Sequence, residues 1–259
     1  GTSHFLGQNF AKAGGVAFSD SEGNLQIPYT TSWGASTRLI GALIMVHGDD
    51  DGLRLPPRLA PYQVVIVPID RDEAQRNAVH SACDELAERL GQQCYAGEPV
   101  RVFVDRKLDR PTTKRWAWIK KGAPLVLEIG PRDVKEGSVT VFTRTNIDSG
   151  AHPQPTVDFV QKIAGTLDDI QRGMLVAAKE FRKTMMVDDL STLEEMRVHF
   201  ENGTGFVRAK WCEAVETEAL FKEFGVTVRC IPYEQSDTEG HCIVTGAPAR
   251  TDAIFAKAY

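Results

Sequence analysis

The sequence predicts a multidomain protein with an α/β domain at its centre. Three observations predict it. Apolar runs rich in β-branched residues alternate with helical patterns between Val64 and Thr145, and strands alternating with helices indicate an α/β domain with a largely parallel sheet. A proline-rich stretch, LRLPPRLAP at 53–61, precedes that region and reads as a linker. A long amphipathic pattern at 155–186 follows it, and shorter elements fill 187–259. The division expected is therefore 1–55, 56–155 and 156–259, and 259 residues suffice for two to three small cores.

The opening segment carries an apolar helical run, ASTRLIGALIMV, which predicts a helix buried on all sides apart from Arg38. VVIVPI at 64–69 is short, apolar and β-branched, so it predicts a buried strand. The stretch 71–90 places Ala74, Ala78, Ala82, Leu86 and Leu90 on one helical stripe. RVFVD at 101–105 predicts a second strand, and TKRWAWIKKG a short basic helix stopped by Gly122. PLVLEIG and VTVFTRT predict two more strands.

Composition excludes several classes. Thirty Lys and Arg stand against 35 Asp and Glu, with a pI near 5.7, which excludes a strongly basic nucleic-acid coat but not a local basic patch. No run of 18 apolar residues predicts a membrane span. GTSHFLGQNF lacks the basic and apolar regions of a signal peptide. The odd, scattered set Cys83, Cys94, Cys212, Cys230 and Cys242 fits free thiols in a reducing cytoplasm.

The chemistry concentrates in TSWGASTRLIGALIMVHGDDDGLRLPP at 31–57. Arg38 cannot be deprotonated, and an unpaired buried guanidinium is very costly. It therefore needs a fixed anion at the start of its helix, where the dipole and free N–H groups add attraction. Gly34 lets a ligand approach the backbone. Two readings follow: a phosphate site, or an ion pair with a buried carboxylate. Neither a GKS/T loop nor a GxGxxG fingerprint is present.

The string from Thr31 to Ile69 resembles motif 3 of the class II prolyl-tRNA synthetases, archaeal/eukaryote-like type, running into their anticodon-binding domain. GTSHFLGQNF resembles the substrate-loop signature of that family, GAPLVLEIGPRD the middle of its anticodon domain, and RCIPYEQ with FAKAY its C-terminal domain. The resemblance implies the end of an antiparallel catalytic sheet with the motif 3 helix, then an α/β anticodon-binding domain, then a small α+β C-terminal domain. It implies that Arg38 holds the ATP phosphates as catalytic residue, with Thr2 and Ser36 also on ATP and with His4, Trp33 and Gly34 around proline. ATP would enter as its Mg2+ complex. Partners would be L-proline, tRNA(Pro) and a second copy in a homodimer formed through the N-terminal part, where the family carries motifs 1 and 2; neither motif is found in these residues. The final Tyr259 would reach back toward the catalytic domain.

Two departures qualify the resemblance. Many members hold zinc between two Cys pairs. Cys212 and Cys242 match the first member of each pair, but Thr217 and Thr245 stand where the second members would be. Two thiolates do not make a four-ligand zinc site, so no zinc is expected; Cys230 and His241 lack the spacing to substitute. In the anticodon domain, Ile119 and Val126 replace an acidic and a basic residue common in the family, and TRTN replaces a more charged motif. Lys114, Trp118 and Lys121 still interleave charge with an aromatic ring, as do Arg115, Trp116 and Lys120. That suits phosphate contact and base stacking in an anticodon loop; a solvated helix face with packed tryptophans is the other reading. For the whole chain the reading is a proline--tRNA ligase, incomplete as given. The rivals are a non-catalytic tRNA-binding or regulatory paralogue and a resistance-type second synthetase.

Overall fold

The computed structural model describes residues 1–70 and 73–257. The chain forms two compact units, Gly1–Gln171 and Arg172–Tyr259.

The first unit opens with an antiparallel strand pair, β1 (Thr2–Gly7) and β2 (Thr30–Gly34). Helix α1 (Arg38–His47) follows. Its all-round apolar sequence predicts burial, yet none of its residues is buried, and Ile40 and Met45 are 63% and 70% exposed. The physical reason is supply of surface: a helix apolar on every side needs cover on every side, and a two-stranded ribbon offers too little.

After α1, Gly48–Asp49 and Gly52–Leu53 form a small hairpin. It lies hard against the end of the later helix at Pro111–Lys120. A Cβ on Gly52 would stand 2.5 Å from Lys120 O, and one on Gly122 would stand 2.8 Å from Leu53 Cβ. Both glycines also have positive φ, +119° and +82°. Glycine alone satisfies both demands. The stretch at 53–61 is thus a packed connection rather than a loose linker: Pro56, Pro57 and Ala60 are buried, and the Arg101 guanidinium donates to the carbonyls of Pro57 at 3.2 Å and Ala60 at 2.9 Å.

The α/β layer contains β3 (Val64–Pro68), α2 (Glu73–Gly91), β4 (Val102–Val104), α3 (Pro111–Lys120), β5 (Leu125–Ile129), α4 (Pro131–Glu136), β6 (Ser138–Thr143) and β7 (His152–Pro155). Strand order is β4-β3-β5-β6-β7. β4, β3 and β5 run parallel, whereas β6 is antiparallel to both β5 and β7. The sheet is therefore mixed, not largely parallel. Only residues 130–137 join β5 to β6, and a parallel crossover needs about a dozen or more. All five residues of β3 and all five of β5 are buried, as central strands covered on both faces require.

On α2 the buried stripe is Val79, Cys83, Leu86 and Leu90. The expected alanine row drifts off it: Ala78 is exposed and Ala82 only half-buried, while the side chain of Ala74 lies outside the described residues. Helix α5 (Thr156–Thr184) buries Phe159, Val160, Ile163, Leu167 and Ile170 within the first unit, the spacing of one helical stripe, and continues past the boundary between the units.

The second unit has β8 (Met186–Val187), α6 (Leu193–Asn202), β9 (Phe206–Trp211), α7 (Glu218–Lys222), β10 (Val226–Cys230) and β11 (Thr251–Lys257). Sheet order is β8-β9-β11-β10. A reciprocal cap opens α6: the Thr192 hydroxyl accepts from Glu195 N–H at 3.2 Å, and the Glu195 carboxylate accepts from Thr192 N–H at 3.1 Å. The core gathers Met196, Phe200, Val207, Trp211, Phe221 and Phe255. Phe255 therefore belongs to a central strand, with the Phe221 ring 5.4 Å away. The apolar end of the sequence is strand up to Lys257; Tyr259 lies outside the described residues. Among the described residues, no helix is long and apolar enough to cross a membrane.

Candidate phosphate site and RNA-facing helix

The β1–β2 register decides which side chains share a face. Thr2 pairs with Gly34 and His4 with Ser32, while Ser3 pairs with Trp33 and Phe5 with Thr31. Side chains alternate across a strand, so Thr2, His4 and Gly34 share one face and Trp33 lies on the other. His4 and Trp33, both expected around one small ligand, therefore form no common wall on this ribbon. On Trp33's own face, Phe5 stacks on Tyr29 at 5.8 Å between centroids.

Thr2, Gly34, Ser36 and Arg38 come together. With Gly1, Ala35, Leu39 and Ala42 they line an open cavity of about 480 Å³. Arg38 is the first residue of α1. Its backbone N–H donates to Ser36 Oγ at 3.2 Å, and the N–H groups of Leu39 and Ile40 donate to the carbonyls of Ser36 and Thr37, each at 3.0 Å. The first turn is thus largely satisfied within itself. What remains for an anion is the helix dipole, the Thr2 and Ser36 hydroxyls and the guanidinium. Among the described residues, none is placed to form an ion pair with Arg38. The alternative expected from sequence, a buried carboxylate partner, is not found there.

The carboxylate partnership belongs instead to an arginine that sequence reasoning missed. Arg144 is 2% exposed. Its Nη1 donates to Asp49 Oδ2 at 3.1 Å, its Nη2 donates to Asp49 Oδ1, and its Nε donates to Ile119 O at 3.1 Å. Nη2 also reaches Gly52 O at 3.3 Å. This clamp ties the hairpin after α1 to α3 and the end of β6. The Arg144 hydrogen bonds hold the Asp49 carboxyl below its ordinary value, against the upward push of burial.

On α3, Lys114, Trp118 and Lys121 share one face by spacing, and most of that face turns inward. Lys114 is buried, its Nζ donating to the carbonyls of Asp105 at 3.1 Å and Lys107 at 3.2 Å. The Trp118 indole N–H donates to Asp105 Oδ2 at 2.7 Å, and the ring packs 5.1 Å from Phe103. Lys121 Nζ covers the same ring at 4.3 Å. Of the three, Lys121 alone is exposed. The outward face instead presents Trp116, 41% exposed, with Lys120. Arg115 is taken up by Glu128 at 2.7 Å and by the Phe142 ring at 4.5 Å.

In the second unit the Sγ atoms of Cys212 and Cys242 stand 3.4 Å apart, and the Thr245 hydroxyl lies 4.0 Å from Cys212 Sγ. Thr217 turns away: its hydroxyl accepts from the Trp211 indole at 2.8 Å and donates to Ala214 O at 2.6 Å. Two thiols and a hydroxyl do not fit a structural zinc ion. Among the described residues no group of three or more His, Cys, Asp or Glu is placed to hold a metal.

Comparison with known proteins adds to this geometry. Residues 63–163 match the family described as "Anticodon binding domain", and residues 193–259 match "Prolyl-tRNA synthetase, C-terminal". The whole chain aligns with proteins named "Proline--tRNA ligase". It is 47% identical to that of Protochlamydia amoebophila over 266 residues, covering 52% of the relative. It is 42% identical to that of Paramagnetospirillum magneticum over 263 residues and 41% to that of Bdellovibrio bacteriovorus over 266, each again covering 52% of the relative. The chain spans about half the length of these curated relatives and carries an anticodon-binding domain followed by a prolyl-tRNA synthetase C-terminal domain.

Proposed function

We propose, from the premise that this chain carries those two domains, that it is the C-terminal portion of a class II prolyl-tRNA synthetase of the archaeal/eukaryote-like type, with motif 3 at 31–57. The protein would use ATP with Mg2+ to activate L-proline and would then charge tRNA(Pro). It would work in the cytoplasm as a homodimer joined through a part outside these residues.

The observation that carries this reading is the cavity where Thr2, Gly34 and Ser36 surround an Arg38 guanidinium that has no ion-pair partner among the described residues. In the first step a proline carboxylate oxygen attacks the α-phosphorus of ATP, and the bond to the bridging oxygen breaks as pyrophosphate leaves. Negative charge spreads over the phosphate oxygens. A guanidinium and two hydroxyls at that point stabilise it without any protein nucleophile. A nearby His4 offers one directed hydrogen bond to the amino acid, and the absence of a side chain at Gly34 leaves room beside Thr2. In the second step a ribose hydroxyl at the tRNA 3′ end attacks the prolyl carbonyl, and AMP leaves.

The RNA contact follows from the outward face of α3. Trp116 offers a ring for stacking, and Lys120 and Lys121 offer phosphate contacts; Lys114 and Trp118 act as the support beneath. Zinc has no place in the scheme, because its donor set is incomplete.

The complete protein tests the reading. Proline-dependent exchange of pyrophosphate into ATP, with no exchange for other amino acids, is the expected result. Binding of tRNA without any exchange would overturn it in favour of a non-catalytic paralogue.

A further inference from the structure

The second unit holds a thiol pair that the proposed aminoacylation does not use. Cys212 and Cys242 are 30 positions apart, yet their Sγ atoms are 3.4 Å apart. Backbone pairing on both sides fixes them there. Cys212 follows directly on β9, whose last residue, Trp211, is in register with Thr251 of β11. The next residue, Glu213, has a φ of +56°, and its carboxylate accepts from the Thr251 hydroxyl at 2.5 Å. Cys242 begins a tight turn. Its N–H donates to Ala247 O at 2.7 Å, and Gly246 N–H donates back to Cys242 O at 2.8 Å. Ile243 N–H donates to Lys210 O at 2.9 Å and so ties the turn to β9.

Access differs between the two thiols. Cys242 is buried at 1% exposure, whereas Cys212 is partly exposed. The other three cysteines are Cys83, which is buried, and Cys94 and Cys230, which are exposed. A disulfide needs its sulfurs about 2.0 Å apart, so closure asks for a movement of about 1.4 Å between the two thiols, within reach of a side-chain rotation.

We infer that Cys212 and Cys242 are a reversible dithiol–disulfide couple that exchanges with low-molecular-weight disulfides. The partly exposed Cys212 gives up its proton, and its thiolate attacks one sulfur of the external disulfide. That S–S bond breaks, and one external thiolate leaves and takes up a proton. Cys212 now carries a mixed disulfide. Cys242 then loses its proton, and its thiolate attacks the Cys212 sulfur from contact distance and expels the second external thiolate, which is protonated in turn. Two protein thiols are oxidised by two electrons, and one external disulfide becomes two thiols. Burial shields Cys242 from direct attack, so the order of events is set by the fold. The closed bond joins the 242–247 turn to the end of β9 and makes the segment 213–241 a covalent loop.

The test is a peptide map. The chain is incubated natively with glutathione disulfide and a metal chelator, quenched in acid, alkylated, digested and examined by mass spectrometry. The expected product is one cross-linked pair of peptides containing Cys212 and Cys242, lighter by two hydrogens than the reduced pair and reversed by excess reduced glutathione. Cys94 and Cys230 are expected to carry glutathione singly. With Cys242→Ser, Cys212 is expected to stop at its glutathione adduct. The inference is overturned if, in the wild-type chain, Cys212 keeps a glutathione adduct beside a free Cys242 thiol once Cys94 and Cys230 have reacted. The wild-type map alone decides the matter if the serine variant does not fold.

Discussion

Removing Asp49 should damage the first unit more than removing Arg144, although the two side chains bond to each other. The asymmetry comes from burial. Arg144 is 2% exposed, and Asp49 has 33% of its side chain exposed. In Asp49→Ala the guanidinium keeps only Ile119 O and Gly52 O as acceptors. An uncompensated buried charge costs about 3–5 kcal/mol. In Arg144→Ala the abandoned carboxylate can hydrate, and Arg54 still stands 3.4 Å from it. The loss there is mainly of hydrogen bonds to the carbonyls, about 2 kcal/mol. A double variant, Asp49→Ala with Arg144→Met, removes the charge along with its partner and should recover at least half of the Asp49→Ala loss, since apolar replacement of a buried pair is often close to neutral. Urea unfolding followed by tryptophan fluorescence measures all three. The reasoning is refuted if Arg144→Ala costs as much as Asp49→Ala, or if the double variant is no better than the single Asp49 change.

Further outcomes follow from the same physics. Burial alone would raise the Asp252 carboxyl, but Lys210 at 2.8 Å and Arg208 at 2.7 Å hold it well below the usual carboxylate range. Its stabilising share should thus be full above the unfolded value of about 4 and fade only as pH falls through the lower folded value. Urea titrations of Asp252→Asn against wild type across that range check this, and equal slopes with pH would contradict it. Phe255→Ala should cost about 3–5 kcal/mol by opening a cavity beside Phe221 and Trp211; a loss under about 1 kcal/mol would mean that the strand is not central. Replacing Trp116, Lys120 and Lys121 together by Ala should weaken tRNA binding and flatten its salt dependence, whereas Lys114→Ala should act chiefly on stability through the carbonyls of Asp105 and Lys107. Unchanged tRNA affinity in the triple variant would show that this face is only solvated.

The strands of the α/β layer were legible because β-branched apolar runs such as 64–69 have few other uses. Their directions were legible only in part: the short connection at 130–137 already forbids a parallel step, and the alternation of strands with helices obscured it. The sequence showed Lys114, Trp118 and Lys121 interleaving charge with an aromatic ring, but it does not tell which face of the helix meets a sheet. Here that face is occupied by Asp105 and Phe103. The apolar wrap of α1 was plain from sequence, whereas its exposure depends on surfaces that these residues do not supply. The Arg144–Asp49 clamp spans 95 positions, and no local pattern announces such a pair. The gathering of Thr2, Ser36 and Arg38 came from the motif resemblance, and the strand register then separated Trp33 from His4, a distinction that alternation along each strand makes but that needs the pairing to be known.

The central claim is that Arg38 holds the phosphates of ATP. Steady-state pyrophosphate exchange by the complete protein carrying Arg38→Ala tests it, with circular dichroism and thermal unfolding on the same samples. Loss of one preorganised charge-stabilising donor costs on the order of 100-fold or more in rate. Because Arg38 is exposed and makes no ion pair among the described residues, folding should be unaffected. The account predicts proline-dependent exchange lowered by about that factor with an unchanged melting temperature. Exchange at a near wild-type rate, or a loss that merely follows unfolding, would contradict it.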